Sequence, residues 1–348
     1  WRISEEAFME PVKEVISNLK LRASYGFTGN TEIGVYESLA TLGTSNWILG
    51  NQLVSGFFPN KIPNPDLKWE RTGQFDIGLD LGLFNNRLRI TTDYYKKKTT
   101  DLLYSVAVPA TSGYQTMLKN IGSIENQGYE LSIESDNLTG AFSWTTAFNI
   151  AFNRNKVLEL GGEEYKEMAE GDGHLKTGSV RRLIVGEPIG VFYGYRFDGI
   201  FQNEEECKQQ TSSASPIGVG LRRYKDLNGD GKVDAANDRE ILGDANPKFF
   251  GGLTNTFAYK GFELNVFLQY SYGNKILNYN AMELENPTGG QNAYADMVNR
   301  WTPENPSNIY PKATTNRALL VSDRFIEDGS YLKLKTLSLS YSFPKINT

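Results

Sequence analysis

Apolar and polar side chains alternate along this chain with a period of two, and that period sends successive side chains to opposite faces of a β-strand. Phe262, Leu264, Val266, Leu268, Tyr270 and Tyr272 share one face, against Glu263, Asn265, Gln269, Ser271 and Gly273, with Phe267 the one intruder on the polar side. Phe142, Trp144, Phe148, Ile150 and Phe152 alternate with Ser143, Thr145, Ala147, Asn149 and Asn153, and Phe75, Ile77, Leu79, Leu81 and Leu83 with Gln74, Asp76, Gly78 and Asp80. Weaker alternation runs through 19–27, 88–94, 129–133, 249–259 and 337–343. In the last of these the parity slips near Thr336, which predicts a β-bulge.

The connections are of two kinds. Tight turns are expected at Asn85-Asn86, Thr139-Gly140 and Lys260-Gly261, residues that tolerate positive φ. Between them lie long excursions, roughly 28–72, 99–123, 154–247 and 274–325. Long connections of this kind are uncommon in compact soluble domains, whereas outer-membrane barrels pair short periplasmic turns with long extracellular loops. If all three tight turns are periplasmic, the strand ending near Asn153 runs outward and the one starting near Phe249 runs inward. The stretch between them must then make an even number of crossings. The strand-like run 190–201 (Gly-Val-Phe-Tyr-Gly-Tyr-Arg-Phe-Asp-Gly-Ile-Phe) has no partner span and is placed in the external excursion of 154–247. This leaves about eight spanning strands. The expected fold class is all-β: part of an antiparallel transmembrane β-barrel over 1–348, with long extracellular loops.

A mean hydropathy of -0.43 is compatible with that reading, because barrel strands are only half apolar. No stretch approaches the roughly 20 apolar residues of a membrane-spanning helix. A net charge of -5 argues against a nucleic-acid partner, which would demand clustered cations, and Lys96 to Lys98 read as a solvated strand end. No enzyme is expected. The only histidine, His174, sits in a Gly-rich polar stretch; Cys207 is flanked by acids that disfavour a thiolate; and no phosphate-cradling glycine loop is present. Aromatics on the apolar parity, such as Trp144, Tyr259, Tyr270 and Tyr272, read as an interfacial belt. Trp47, Phe57, Phe58, Tyr114, Tyr294 and Trp301 lie in excursions, free either to touch a ligand or to pack loops together. The chain opens at Trp1 and stops just after a strand pattern, as part of a longer protein would.

One motif carries metal chemistry. Asp226, Asn228, Asp230, the Lys232 carbonyl and Asp234 fall at positions 1, 3, 5, 7 and 9 of an EF-hand-like loop, with Gly231 at the sharp turn of position 6. Position 12 is Asn237 rather than a bidentate acid, and Asp238 lies one residue late, so a one-residue insertion near Ala235-Ala236 would let Asp238 close the shell. A structural Ca2+ is the expectation here, and an Asx-rich turn without metal the alternative.

At Asn64-Pro65-Asp66-Leu67-Lys68-Trp69-Glu70, with Gly78-Leu79-Asp80 and Asp93-Tyr94-Tyr95, the chain resembles the SusC/RagA family of TonB-dependent transporters. The resemblance continues, in order, through Asn120-Ile121-Gly122, Asn126-Gln127-Gly128-Tyr129-Glu130, Phe192-Tyr193-Gly194-Tyr195, Asp226 to Gly231, Tyr259 to Leu264 and Tyr272-Gly273-Asn274. It implies a barrel of about 22 strands with a plugged lumen in the outer membrane of a Gram-negative bacterium, surrounded by outer-membrane lipid. It also implies import of an oligosaccharide or peptide nutrient, a SusD-like surface lipoprotein as lid, and a TonB complex acting through an N-terminal plug outside this chain. This chain would supply barrel wall and extracellular loops. A soluble calcium-stabilised β-sandwich glycan-binding module and a secreted glycan-active enzyme are the alternatives. A soluble sandwich would use connections of more even length.

Overall fold

The computed structural model describes all residues except 31–32, 115, 169–178, 287–291, 316–318 and 344–348. His174 therefore lies outside the described residues. Eight long strands form the wall: β1 (Ile16–Asn30), β2 (Glu70–Leu83), β3 (Leu88–Thr100), β4 (Ser123–Leu138), β5 (Phe142–Glu159), β6 (Phe249–Tyr259), β7 (Phe262–Tyr272) and β8 (Tyr331–Tyr341). These are the eight expected from alternation. The chain divides into two compact units, one of Trp1–Asn137 with Asn153–Glu164 and one of Leu138–Phe152 with Tyr165–Thr348.

In the first unit β1, β2, β3 and β4 pair antiparallel in sequence order. Register puts Leu19, Leu81, Ile90 and Ile133 in one row and Ala23, Ile77, Tyr94 and Tyr129 in another, so the apolar parities of all four strands coincide. The turn between β2 and β3 is closed by Phe84, Asn85 and Asn86, all at positive φ near +60°. Asparagine tolerates this conformation because its short side chain bonds locally.

In the second unit β5 pairs with β6, β6 with β7, and β7 with β8, all antiparallel. Trp144, Phe257, Leu264 and Leu339 form one row of the apolar face. Asn255 and Thr146 are its polar exceptions, and Asn255 Oδ1 accepts from Trp144 Nε1 at 2.8 Å and Thr146 Oγ1 at 2.7 Å. Phe267, the intruder on the polar face, lies over Gly252: a Cβ there would come 2.6 Å from its ring. The expected bulge is present, since register passes from Phe267/Thr336 to Leu268/Leu334 and leaves Lys335 unpaired.

Aromatics cap both ends of this face. Phe142, Tyr259, Phe262 and Tyr341 cluster at the tight-turn end, and Phe152, Phe249 and Tyr272 at the other. Phe262 to Tyr272 is ten steps of about 3.4 Å, or about 34 Å along the strand; a tilt of about 40° leaves about 26 Å, the height of a barrel's apolar band. No apolar side chain on this face is buried: Leu264, Val266 and Leu268 stay half-covered, and Leu337 and Leu339, on the end strand of the sheet, are exposed.

The excursions are more structured than alternation suggested. Residues 28–72 hold a hairpin, Thr41–Leu49 with Gln52–Lys61, and residues 99–123 a second, Leu103–Ala107 with Thr116–Asn120. The run 190–201 does find partners, inside its own excursion: Val191–Tyr195 pairs with Arg239–Asp244, and Phe197–Ile200 with Arg222–Tyr224. Nor does 154–247 fold alone. Val180, Phe192 and Leu242 pack with Leu277, Met282, Leu319, Val321 and Phe325, so the excursions 154–247 and 274–325 share one apolar core.

Candidate functional site

The polar faces of the two units differ. In the first, Arg22 reaches across to Asp80 at 3.0 Å and Asp93 at 2.9 Å, Lys20 lies 3.8 Å from Asp80, and Arg89 pairs with Glu134 and Asp136. Gly78 makes room for this ladder, because a Cβ would come 2.2 Å from Asp93 Oδ1 and 2.7 Å from Arg22 Nη2. In the second unit the same parity carries mainly uncharged groups, among them Thr145, Asn149, Thr254, Thr256, Asn265 and Gln269. Asn265 Nδ2 donates to Thr256 Oγ1 at 2.9 Å.

Beyond β1–β4, the segment Asn64 to Glu70 stitches the excursions 28–72 and 99–123 together. Asn64 Nδ2 donates to the Leu118 carbonyl at 2.9 Å. The Lys68 N–H donates to Asn120 Oδ1, and Asn120 Nδ2 returns to the Lys68 carbonyl, both at 2.7 Å. Glu70 accepts from the Leu103 N–H and from Asn30 Nδ2 at 3.1 Å each. These residues fix loop geometry.

The joint body of 154–247 and 274–325 is built by similar close approaches. Gly194 admits the Val321 carbonyl, which a Cβ would meet at 2.3 Å, and Tyr195 N–H donates to that carbonyl at 2.9 Å. Trp301 packs on Gly220 and donates from Nε1 to Gln202 Oε1 at 3.0 Å, so this loop aromatic packs loops together. Trp47 and Phe57, on the hairpin of 41–61, are 58% and 74% exposed. Burial pulls the Arg222 guanidinium below its usual range; its Nη2 donates to the Glu285 carbonyl at 3.1 Å, while Arg324 Nη2 donates to a Glu285 carboxylate oxygen at 2.6 Å. Burial first, then Glu204 and Glu206, push the Cys207 thiol up, as its sequence neighbours suggested.

All six proposed calcium residues fall in one loop of this body. Asp226 accepts the N–H groups of Gly229 and Gly231 at 2.7 Å each, with both glycines at positive φ (+76° and +80°). Asn228 accepts the Asp230 N–H at 3.2 Å and donates to Asp230 Oδ2 at 3.0 Å; Asp230 Oδ1 accepts the Lys232 N–H at 2.8 Å. The Asn237 N–H, then the Lys232 ammonium and the Ala236 N–H, hold the Asp234 carboxyl below its usual range. Asp238 does something spacing alone did not reveal. It is fully buried, and its oxygens accept the N–H groups of Leu227 (2.8 Å) and Asp234 (2.7 Å), clamping the loop at both ends. Among the described residues, no three His, Cys, Asp or Glu side chains are gathered as a metal-binding group.

Residues 12–173 match the family model for the TonB dependent receptor-like β-barrel. TonB-dependent receptor P3 of Formosa agariphila is 39% identical over 346 residues, and TonB-dependent receptor SusC of Bacteroides thetaiotaomicron 30% identical over 361. Each alignment covers 99% of this chain and 34% of the relative, so the chain spans about a third of those relatives' length. Among solved structures, the RagAB peptide transporter superposes with a TM-score of 0.79 at 27% identity, over 99% of this chain and 36% of that one.

The chain belongs to the SusC/RagA-type TonB-dependent receptors. It is therefore an outer-membrane protein of a Gram-negative bacterium, and its family is one of transporters and receptors rather than an enzyme class. The motifs that carried the SusC/RagA resemblance now have physical roles. Gly78, Asp80 and Asp93 belong to the ionic ladder, Asn64 and Asn120 to the loop stitch, and Gly194 to the body's closest backbone approach. Period-two alternation misses the joint core of the two SusC/RagA-type excursions, because short strands buried on both faces do not alternate. The Phe192 to Tyr195 run was its one visible signal.

Proposed function

We propose that this chain forms barrel wall and extracellular loops of a TonB-dependent importer that takes up an oligosaccharide or peptide nutrient. The observation that carries the reading is the inverted burial: a banded, exposed apolar face on the strands and a packed apolar core in the excursions. With the tight turns periplasmic, the 154–247 and 274–325 body stands on the cell surface, positioned to meet a SusD-like lid. Energy would come from a TonB complex acting on a plug supplied by the rest of the transporter. Growth of a strain carrying the intact transporter and its lid protein on candidate oligosaccharides and peptides tests the activity; a deletion strain that grows on every such nutrient as well as the parent would refute it. An epitope tag within 209–215 tests the topology. It should be reached in intact cells, and a tag reached only after permeabilisation would overturn the placement.

Calcium in the 226–238 loop belongs to the same proposal. Spacing supports it, as does Gly231 at positive φ in the turning position. Each ionised carboxylate that now holds N–H groups keeps lone pairs for a cation. Asp226, Asn228, Asp230, the Lys232 carbonyl and Asp234 would supply oxygens, with Asp238 as clamp or ligand. The ion would stiffen the loop and leave the wall unaffected. Terbium luminescence on wild type and on Asp226→Ala/Asp230→Ala should show saturable binding lost in the variant, and no saturable binding by wild type at millimolar calcium would end the idea.

A further inference from the structure

We infer that the outer end of β1–β3 binds a phosphate-bearing lipid of the outer leaflet; the inference rests on the outward topology proposed above. On the apolar parity, successive rows read Ala23/Ile77/Tyr94, Tyr25/Phe75/Lys96, Phe27/Gly73/Lys98 and Gly29/Arg71/Thr100. Over these four rows, about 20 Å of strand, the face passes from apolar through aromatic to cationic. A hollow of about 430 Å³ opens there, lined by the aromatics Tyr25, Phe27 and Phe75 and the cations Arg71, Lys96 and Lys98. Gly73 is its floor: a Cβ at this position would come 3.0 Å from the Phe27 ring.

The charges are not balanced internally. Lys96 pairs with Glu125 at 3.1 Å, while Arg71 stacks 3.9 Å from the Phe27 ring centroid. Among the described residues neither Arg71 nor Lys98 has a carboxylate partner, so three cations meet one acid. The site sits on the face that also carries Ile77 and Leu79, so cargo passing through the lumen does not reach it. The occupant that matches both halves has acyl chains to lie along Ala23 and Ile77 and a phosphorylated headgroup for the cations. Guanidinium and ammonium groups bind phosphate at such interfaces.

The test uses the full-length transporter in a Cys207→Ser background, with Arg71→Ser, Lys96→Gln and Lys98→Gln introduced singly and together. Retention of diphosphorylated lipid A is measured by native mass spectrometry after reconstitution, beside phosphate-free lipid A and phosphatidylcholine. Retention of the phosphorylated lipid should fall roughly fivefold per charge removed, with no change for the other two lipids. Equal retention by wild type and triple variant, or equal binding of the phosphate-free lipid, overturns the site. Labelling of Lys98→Cys by a membrane-impermeant maleimide on intact cells separates the two claims. Labelling only after permeabilisation sinks the topology, and surface labelling with unchanged lipid retention sinks the lipid site alone.

Discussion

The wall strands and the excursion body invert the usual relation between strands and loops. Leu264, Val266 and Leu268 on β7, a strand paired on both sides, remain half-exposed, whereas Phe201, Met282, Leu319 and Phe325, all outside the wall, are almost completely buried. In a soluble sheet protein the strands' apolar faces would make the core and the connections would lie in water. Here the connections pack an apolar core of their own, and the strands present their apolar face to a solvent that is itself apolar. In hydrocarbon such a wall is held by inter-strand hydrogen bonds, because an unpaired backbone group there is costly, and not by hydrophobic burial. The excursion body depends on burial, like any small globular domain.

Substitutions should therefore act by different physics in the two regions. The largest effect is expected at Phe325, fully buried in the joint core, where Phe325→Ala should cost about 3–5 kcal/mol. The damage should stay local. Hydrogen exchange across 154–247 and 274–325 should accelerate while the wall keeps its heat-modifiable mobility on gels, and simultaneous loss of both would show that the body and wall are one folding unit. Next, Val266→Arg places a charge on the apolar parity and should cost about 2–4 kcal/mol near the bilayer midplane, while Phe267→Arg, one residue along, should lose only a ring's contact with Gly252. Comparable folded yields for the two variants would contradict the assignment of faces. A smaller change, about 1–3 kcal/mol, is expected for Asp238→Asn, which sets an amide N–H against the Leu227 or Asp234 N–H. Its readout is proteolytic nicking within 226–238, and unchanged nicking would remove Asp238 as the clamp.

The wall was legible from sequence because lipid on one side and polar groups on the other impose alternation, and because tight turns at positive φ favour residues such as Asn85 and Asn86. Even the bulge at Lys335 showed as a slip in parity. Much of the excursion body was not legible. Tyr195 meets Val321 and Gln202 meets Trp301 across roughly a hundred residues of chain, and no local pattern encodes such pairings. The hairpin of 41–61 escaped notice because it has no consistent apolar face. The aspartate loop was legible as spacing, yet spacing does not report that Asp238 is fully buried, or that Tyr195, Tyr224 and Val233 form a small apolar core in the same body.

The central claim is that β7 has a lipid face and a polar face in strict alternation. Single cysteines at 264 to 269 in a Cys207→Ser background, spin-labelled in the reconstituted full-length transporter, test it most directly. Labels at 264, 266 and 268 should be reached by dissolved oxygen, and those at 265, 267 and 269 by a water-soluble nickel chelate, giving an accessibility trace with a period of two. A flat trace, or chelate access at Leu264, Val266 and Leu268, would contradict it.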